Sequence, residues 1–138
     1  MRTYEQDYAG WAEDTASAIE AGKFDEIDLL ALADEVRDLG KSERYRLESA
    51  LRVLLLHLLK TKYQPEKATP SWQASINIQR RHVAKYLRES PSLRPCLPAL
   101  LAEAYGDARI EAGGETDLDI RTFPEVCEWT LHEVLGDY

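Results

Sequence analysis

Between Leu47 and Leu59 the chain reads LESALRVLLLHLL. At helical spacing, Leu47, Leu51, Leu54, Leu55 and Leu58 make one face, and Ala50, Val53, Leu56 and Leu59 cover the others. A helix that is apolar on all sides has to be surrounded by neighbours. Its longest apolar run, Leu51 to Leu59, is broken by Arg52 and His57, and it falls far short of the ~20 residues that span a bilayer. The segment is therefore read as the buried centre of a helical domain.

The rest of the chain supplies amphipathic helices to cover it. A first helix carries Tyr4, Tyr8, Trp11, Thr15, Ala18 and Ile19 on one stripe and stops at Gly22. A second is expected to be capped by Asp25, with Phe24 and Leu29 at the staple positions. Its buried stripe would be Leu29, Leu32, Ala33, Val36 and Leu39, and Gly40 would end it in a left-handed cap. The third, central helix runs from about Ser42 to Lys62, and Gln64-Pro65 stops it. Ser71 caps a fourth, with Trp72, Ile76, Gln79, Val83, Tyr86 and Leu87 roughly in line, closed by Ser90-Pro91-Ser92. A fifth covers about Leu97 to Ala112, crowded at its start by Pro95 and Pro98 and ended by Gly113-Gly114. A last short helix opens at Thr130, which forms a capping box with Glu133, while Trp129 and Val134 take the staple positions. No segment alternates apolar and polar residues as a strand does. The expectation is one all-α domain over residues 1–138, a compact bundle of five main helices plus a short C-terminal one, with helix three central.

Charge is segregated along the chain. The net charge of −8 divides into −8 over residues 1–39, +2 over 40–59, +6 over 60–94 and −8 over 95–138. Such blocks mean either complementarity between packed helices or an anion-facing patch. Internal pairing of Asp34, Glu35 and Asp38 with Arg44, Arg80 or Arg81 is the favoured reading. Cys96 and Cys127 are too few for a disulfide framework and lack metal-type spacing; they read as two small buried hydrophobes. The charged start has no apolar leader, so a cytoplasmic location is expected.

The familiar chemical motifs are missing: no phosphate-cradling glycine loop, no G-x-S-x-G, no H-E-x-x-H and no CxxC. A di-iron bundle needs a Glu-x-x-His on each of two helices, and no such pair occurs. No metal and no cofactor is expected, and whether the chain is an enzyme stays open. The residues with most chemical promise are Glu35, His57, Lys60, Trp72 and Arg80, which would gather where helix two meets the junction of helices three and four. His57 has the pKa for acid–base work, and is equally a buried histidine with one ring nitrogen hydrogen-bonded.

Several short pieces form a set: Tyr4/Asp7/Trp11, Phe24-Asp25-x-Ile27-Asp28, Glu35-x-x-x-Leu39-Gly40, Ser42-Glu43-Arg44, Glu48-Ser49-x-Leu51, His57-Leu58-Leu59-Lys60, Tyr63-Gln64-Pro65, Ser71-Trp72, Gln79-Arg80 and Tyr105-x-x-Ala108. With Ser90-Pro91-Ser92-Leu93 and Phe123-Pro124, this set resembles the bacterial proteins grouped as domain-of-unknown-function family 29. The chain departs from that pattern at Arg37, where a second glutamate is expected, at Glu128 after Cys127, where a proline is expected, and at Pro98. The resemblance implies an all-helical, cytoplasmic bacterial protein. It carries over no activity and no catalytic residue.

Three functions follow, in order. The first is a non-catalytic interaction module that binds a protein partner or itself through an exposed helical face. The second is an enzyme or anion-binding domain built on the five residues named above. The third is a single-stranded nucleic-acid binder using the basic block 60–94, where cations and aromatic rings alternate. No membrane partner is expected.

Overall fold

In the computed structural model, which describes residues 1–136, the order of helices is α1 (Tyr8–Glu20), α2 (Leu29–Tyr63), α3 (Pro70–Glu89), α4 (Leu97–Thr116) and the short α5 (Leu131–Leu135). Single 3-10 turns lie between them at Phe24–Glu26, Pro65–Lys67, Pro91–Cys96 and Ile120–Thr122. No strand occurs among the described residues, as the all-α expectation requires. The expected helices two and three are one helix of 35 residues, so the main helices number four and not five. Gly40 sits inside it and takes no left-handed conformation. A glycine in a helix interior costs only about 1 kcal/mol relative to alanine. Strong helix formers on both sides, Leu39 and Lys41 onward, outweigh that cost.

The chain falls into two compact units, Met1–Lys41 and Ser42–Tyr138, and α2 contributes to both. In the first unit Asp7 caps α1 by accepting from the Gly10 amide at 2.9 Å. A Cβ at Gly10 would come within 2.6 Å of the Arg2 guanidinium, which is held down by Asp14: the Arg2 amide and side chain both donate to it at 2.9–3.0 Å. Gly22, at φ +71, ends α1 as expected. The start of α2 is capped by Asp28, which accepts from the Ala31 amide at 3.1 Å. Asp25 instead lies in the preceding 3-10 turn, so the helix begins three residues later than its most obvious cap.

The core belongs to the second unit. Leu47, Leu51, Leu54, Leu55 and Leu59 of α2 are fully buried, with Ile76, Val83 and Leu87 of α3 and Leu100, Ala104, Tyr105 and Ala108 of α4. α3 begins two residues before expectation, with Thr69 at the cap in place of Ser71 and Pro70 in the first turn, where its missing N–H is harmless. α4 likewise begins with Pro98 in its first turn, but passes through Gly113-Gly114 and stops only at Thr116. Its stop is made by Asp117 in the left-handed region at φ 61. Gln64, just past α2, donates to the freed Thr116 carbonyl at 2.8 Å. The last turn of the fold forms as read: Thr130 and Glu133 make the capping box.

Candidate interaction surfaces

The five residues singled out by sequence are divided between the two units. Glu35 lies in the first unit, where the Tyr8 hydroxyl donates to its carboxylate. The Tyr8 phenol, and after it that of Tyr4, hold its pKa below the ordinary value. The Glu35 carboxylate, and then burial, push the Tyr4 phenol up to about 12. Tyr4, Tyr8 and Trp11 stack edge-on and tilted at centroid distances of 5.2–6.1 Å. This aromatic clasp on Glu35 is a connection that no short-range pattern announces.

The other four lie in the second unit. Lys60 sits 4.6 Å over the Trp72 ring and 3.9 Å from Glu115. His57 is one turn earlier on α2. Burial, and then the charge of Lys60, lower its pKa. Its Nδ1 is buried without a hydrogen-bond partner, as is Oγ1 of Thr61, and the residue as a whole is half-buried. Arg80 is elsewhere: it donates to the Val134 carbonyl at 3.0 Å and the Glu133 carbonyl at 3.2 Å, tying α5 to α3.

The favoured internal pairing is not what the carboxylates of α2 do. Asp34 pairs with Arg37 at 3.4 Å and Asp38 with Lys41 at 3.9 Å, each within one turn of the same helix. Exposed pairs of this kind contribute under about 1 kcal/mol. The basic block is partly neutralised within its own unit: Lys62 meets Glu128 at 2.7 Å, and Lys85 lies 4.0 Å from Glu89. Arg81 and Arg88 have no ion pair among the described residues and are exposed. The cysteines are free and half-buried.

Two surfaces stand out. The first is the stripe on the N-terminal half of α2. It was expected in a core, yet Leu29 is 63% exposed, Val36 58% and Leu39 70%; Leu32 and Ala33 between them are half-buried. By helical spacing Asp28 and Glu35 rim one edge of this stripe. The residues had been named; what the pattern left out was that Leu29, Val36 and Leu39 stay more than half exposed.

The second lies between α2 and α3 in the second unit. Tyr45, Arg46, Ser49, Ala50 and Val53 face Gln79, His82 and Tyr86 across a groove of about 260 Å³. His82 also belongs to a depression along α3 lined by Ile78, Arg81, Lys85 and Arg88. Arg81, Lys85 and Arg88 recur at i, i+4 and i+7, which places them in one row. None of Glu35, His57, Lys60 and Trp72 lines either hollow. The row was visible within the basic block as spacing; the groove was not, because Tyr45 and Ser49 lie thirty residues and more before their partners on α3.

No described helix is long and apolar enough to cross a membrane. The chain belongs to the family described as Domain of unknown function DUF29, whose model matches residues 3–138. No curated protein and no solved structure shows a match to it.

Proposed function

We propose that this DUF29 chain is a non-catalytic interaction module, and that it associates with a second copy of itself through the exposed stripe Leu29, Val36 and Leu39. The single observation that carries the reading is that this stripe has helical amphipathic order while these three of its residues are more than half exposed. Scattered exposed leucines need no explanation, but an ordered row of them marks an interaction face. Size supports it. The first unit has 41 residues, and its buried residues are Gly10, Trp11, Thr15 and Ala18. Below about 40 residues a core rarely sustains itself without a disulfide, a metal or association. Burying each of the three stripe residues against a partner would contribute roughly 1.5–3 kcal/mol.

A second copy is the occupant that charge favours. Residues 1–39 carry −8, while the exposed row on α3 is cationic, so one molecule holds both complementary surfaces. The test is the molar mass in solution by light scattering, as a function of concentration, for the native chain and for Val36→Glu with Leu39→Glu. A concentration-dependent dimer that the double variant abolishes, with helicity unchanged, is the expected result. A chain that stays monomeric at high concentration would overturn the reading.

A further inference from the structure

We infer that the hollow between α3, the 3-10 turn Pro91–Cys96 and α5 is a binding site for a small aromatic carboxylate, with an apolar floor for the ring and three guanidiniums for the charge. The site lies wholly within the second unit, and it does not depend on self-association. Of the five residues singled out by sequence, only Arg80 lines it.

The floor sets the size of the guest. The hollow has about 170 Å³, and its walls include Val83, Leu87 and Leu135, which otherwise belong to the core. An apolar cavity of about 150 Å³ takes one benzene ring. A single ring therefore fills this space.

The rim sets the charge. Arg80, Arg88 and Arg94 all line the hollow, and no carboxylate does. None of the three has an ion pair among the described residues. The acids nearest in sequence are engaged: Glu89 lies 4.0 Å from Lys85, and the Glu133 carboxylate accepts from the Thr130 amide at 3.2 Å. Like charges gathered around one hollow repel, and an anion among them removes that cost. A guanidinium presents a planar fork that matches a carboxylate. Arg80 is half-buried and fixed, since its Nε and Nη2 donate to the carbonyls of Val134 and Glu133; its Nη1 has no partner among the described residues. Arg88 and Arg94 are exposed and come from different elements. One stands in the last turn of α3, the other in a turn whose backbone is restrained by Pro91 and Pro95. An inorganic anion would leave the floor unfilled, and a neutral ring would leave the cations unmatched. Only a guest that carries both features satisfies both.

Benzoate is the probe. Titrated into the methyl-labelled native chain and followed by NMR, it should shift the signals of Val83, Leu87 and Leu135 and saturate with a Kd of roughly 1 mM or below. Acetate and benzamide, each keeping one half of the probe, should bind roughly tenfold more weakly or worse. Two variants separate charge from shape. Arg88→Gln with Arg94→Gln removes the two exposed cations, and should weaken benzoate by roughly tenfold or more with the urea midpoint unchanged. Ala84→Leu enlarges a side chain that lines the hollow and keeps all three arginines, and it should weaken benzoate as well. Absence of a saturable shift at these methyls would overturn the inference. So would benzoate binding that survives both variants, or equal affinity for benzoate, acetate and inorganic phosphate, which would describe a cationic patch without a floor. A labelled single-stranded oligonucleotide is titrated in parallel. Salt-sensitive binding to it, lost in Arg88→Gln with Arg94→Gln, in a chain that ignores benzoate, would assign these cations to a polyanion and overturn the inference.

Discussion

Along α2, Leu29, Val36 and Leu39 are more than half exposed, whereas Leu47, Leu51, Leu54 and Leu59 are fully buried. Both stretches have helical apolar periodicity and both lie on one continuous helix. They differ in what surrounds them. The C-terminal half is covered by apolar residues of α3 and α4, which complete one core with it. The N-terminal half belongs to a unit of 41 residues held by polar clasps: Arg2 on Asp14, Tyr8 on Glu35. The second unit folds around its leucines; the first displays them.

The largest effect should come from truncating the buried half. Leu54→Ala removes a fully buried side chain and should cost about 2–5 kcal/mol. Val36→Ala, measured as monomer in the same urea titration, should stay within roughly 0.5 kcal/mol. Comparable losses at the two positions would erase the distinction drawn between the halves.

Next in size is Arg80. Its guanidinium satisfies the carbonyls of Glu133 and Val134, so Arg80→Gln should destabilise by about 1–3 kcal/mol, the cost of a charged donor and of carbonyls left unpaired. Arg81→Gln, one residue on and without an ion pair among the described residues, should lie within about 0.5 kcal/mol. Urea midpoints of the pair separate a structural cation from one kept for a surface. Equal shifts would place both in the fold.

The smallest effect is on proton affinity, and here the two regions should respond in opposite directions. Glu35 has its pKa lowered from 4.5 by the hydrogen bonds from Tyr8 and Tyr4. Its stabilising contribution is present above the unfolded value and is lost as pH falls through the folded one. The Tyr4 phenol, raised to about 12 from 10.0 by the same bond, contributes below pH 10 and loses that contribution as pH rises through its folded value. The clasp therefore works between these limits. Glu48 in the second unit has its pKa raised by burial and then by Glu103 and Asp107. Its cost to folding is present at neutral pH and disappears as pH falls through the ordinary carboxylate range. Side-chain carboxyl titration by NMR should find Glu35 below 4.5 and Glu48 above it. In Tyr8→Phe, Glu35 should move up toward 4.5 while Glu48 does not change.

Much of the fold was legible because local chemistry decided it. Gly22 ends α1, Gln64-Pro65 ends α2, and Thr130 with Glu133 opens α5, each through groups within a few residues. Gly40 and Gly113-Gly114 misled for one reason: glycine permits a left-handed stop without requiring it, and only Gly22 and Gly136 among the described glycines take positive φ. The stripe from Leu29 to Leu39 was legible as a face and misread as a core, since periodicity says that a face is apolar and not what covers it. The candidate cluster of Glu35, His57, Lys60, Trp72 and Arg80 was chosen by residue type. Three of its members are engaged locally, Glu35 by Tyr8, Lys60 by Trp72 and Glu115, and Arg80 by the carbonyls before Gly136. The α2/α3 groove needed the packing of two helices to appear at all.

Hydrogen exchange of the backbone amides, followed by mass spectrometry at low and high protein concentration, tests the contrast between the halves of α2 most directly. Amides from 47 to 59 should open only with global unfolding and exchange at one rate at every concentration. Amides from 29 to 39 should exchange faster in the dilute monomer and slow markedly as the chain associates, a change abolished in Val36→Glu with Leu39→Glu. Protection over 29–39 that equals that of 47–59 and ignores concentration would contradict the account, because the exposed half would then be complete without a partner.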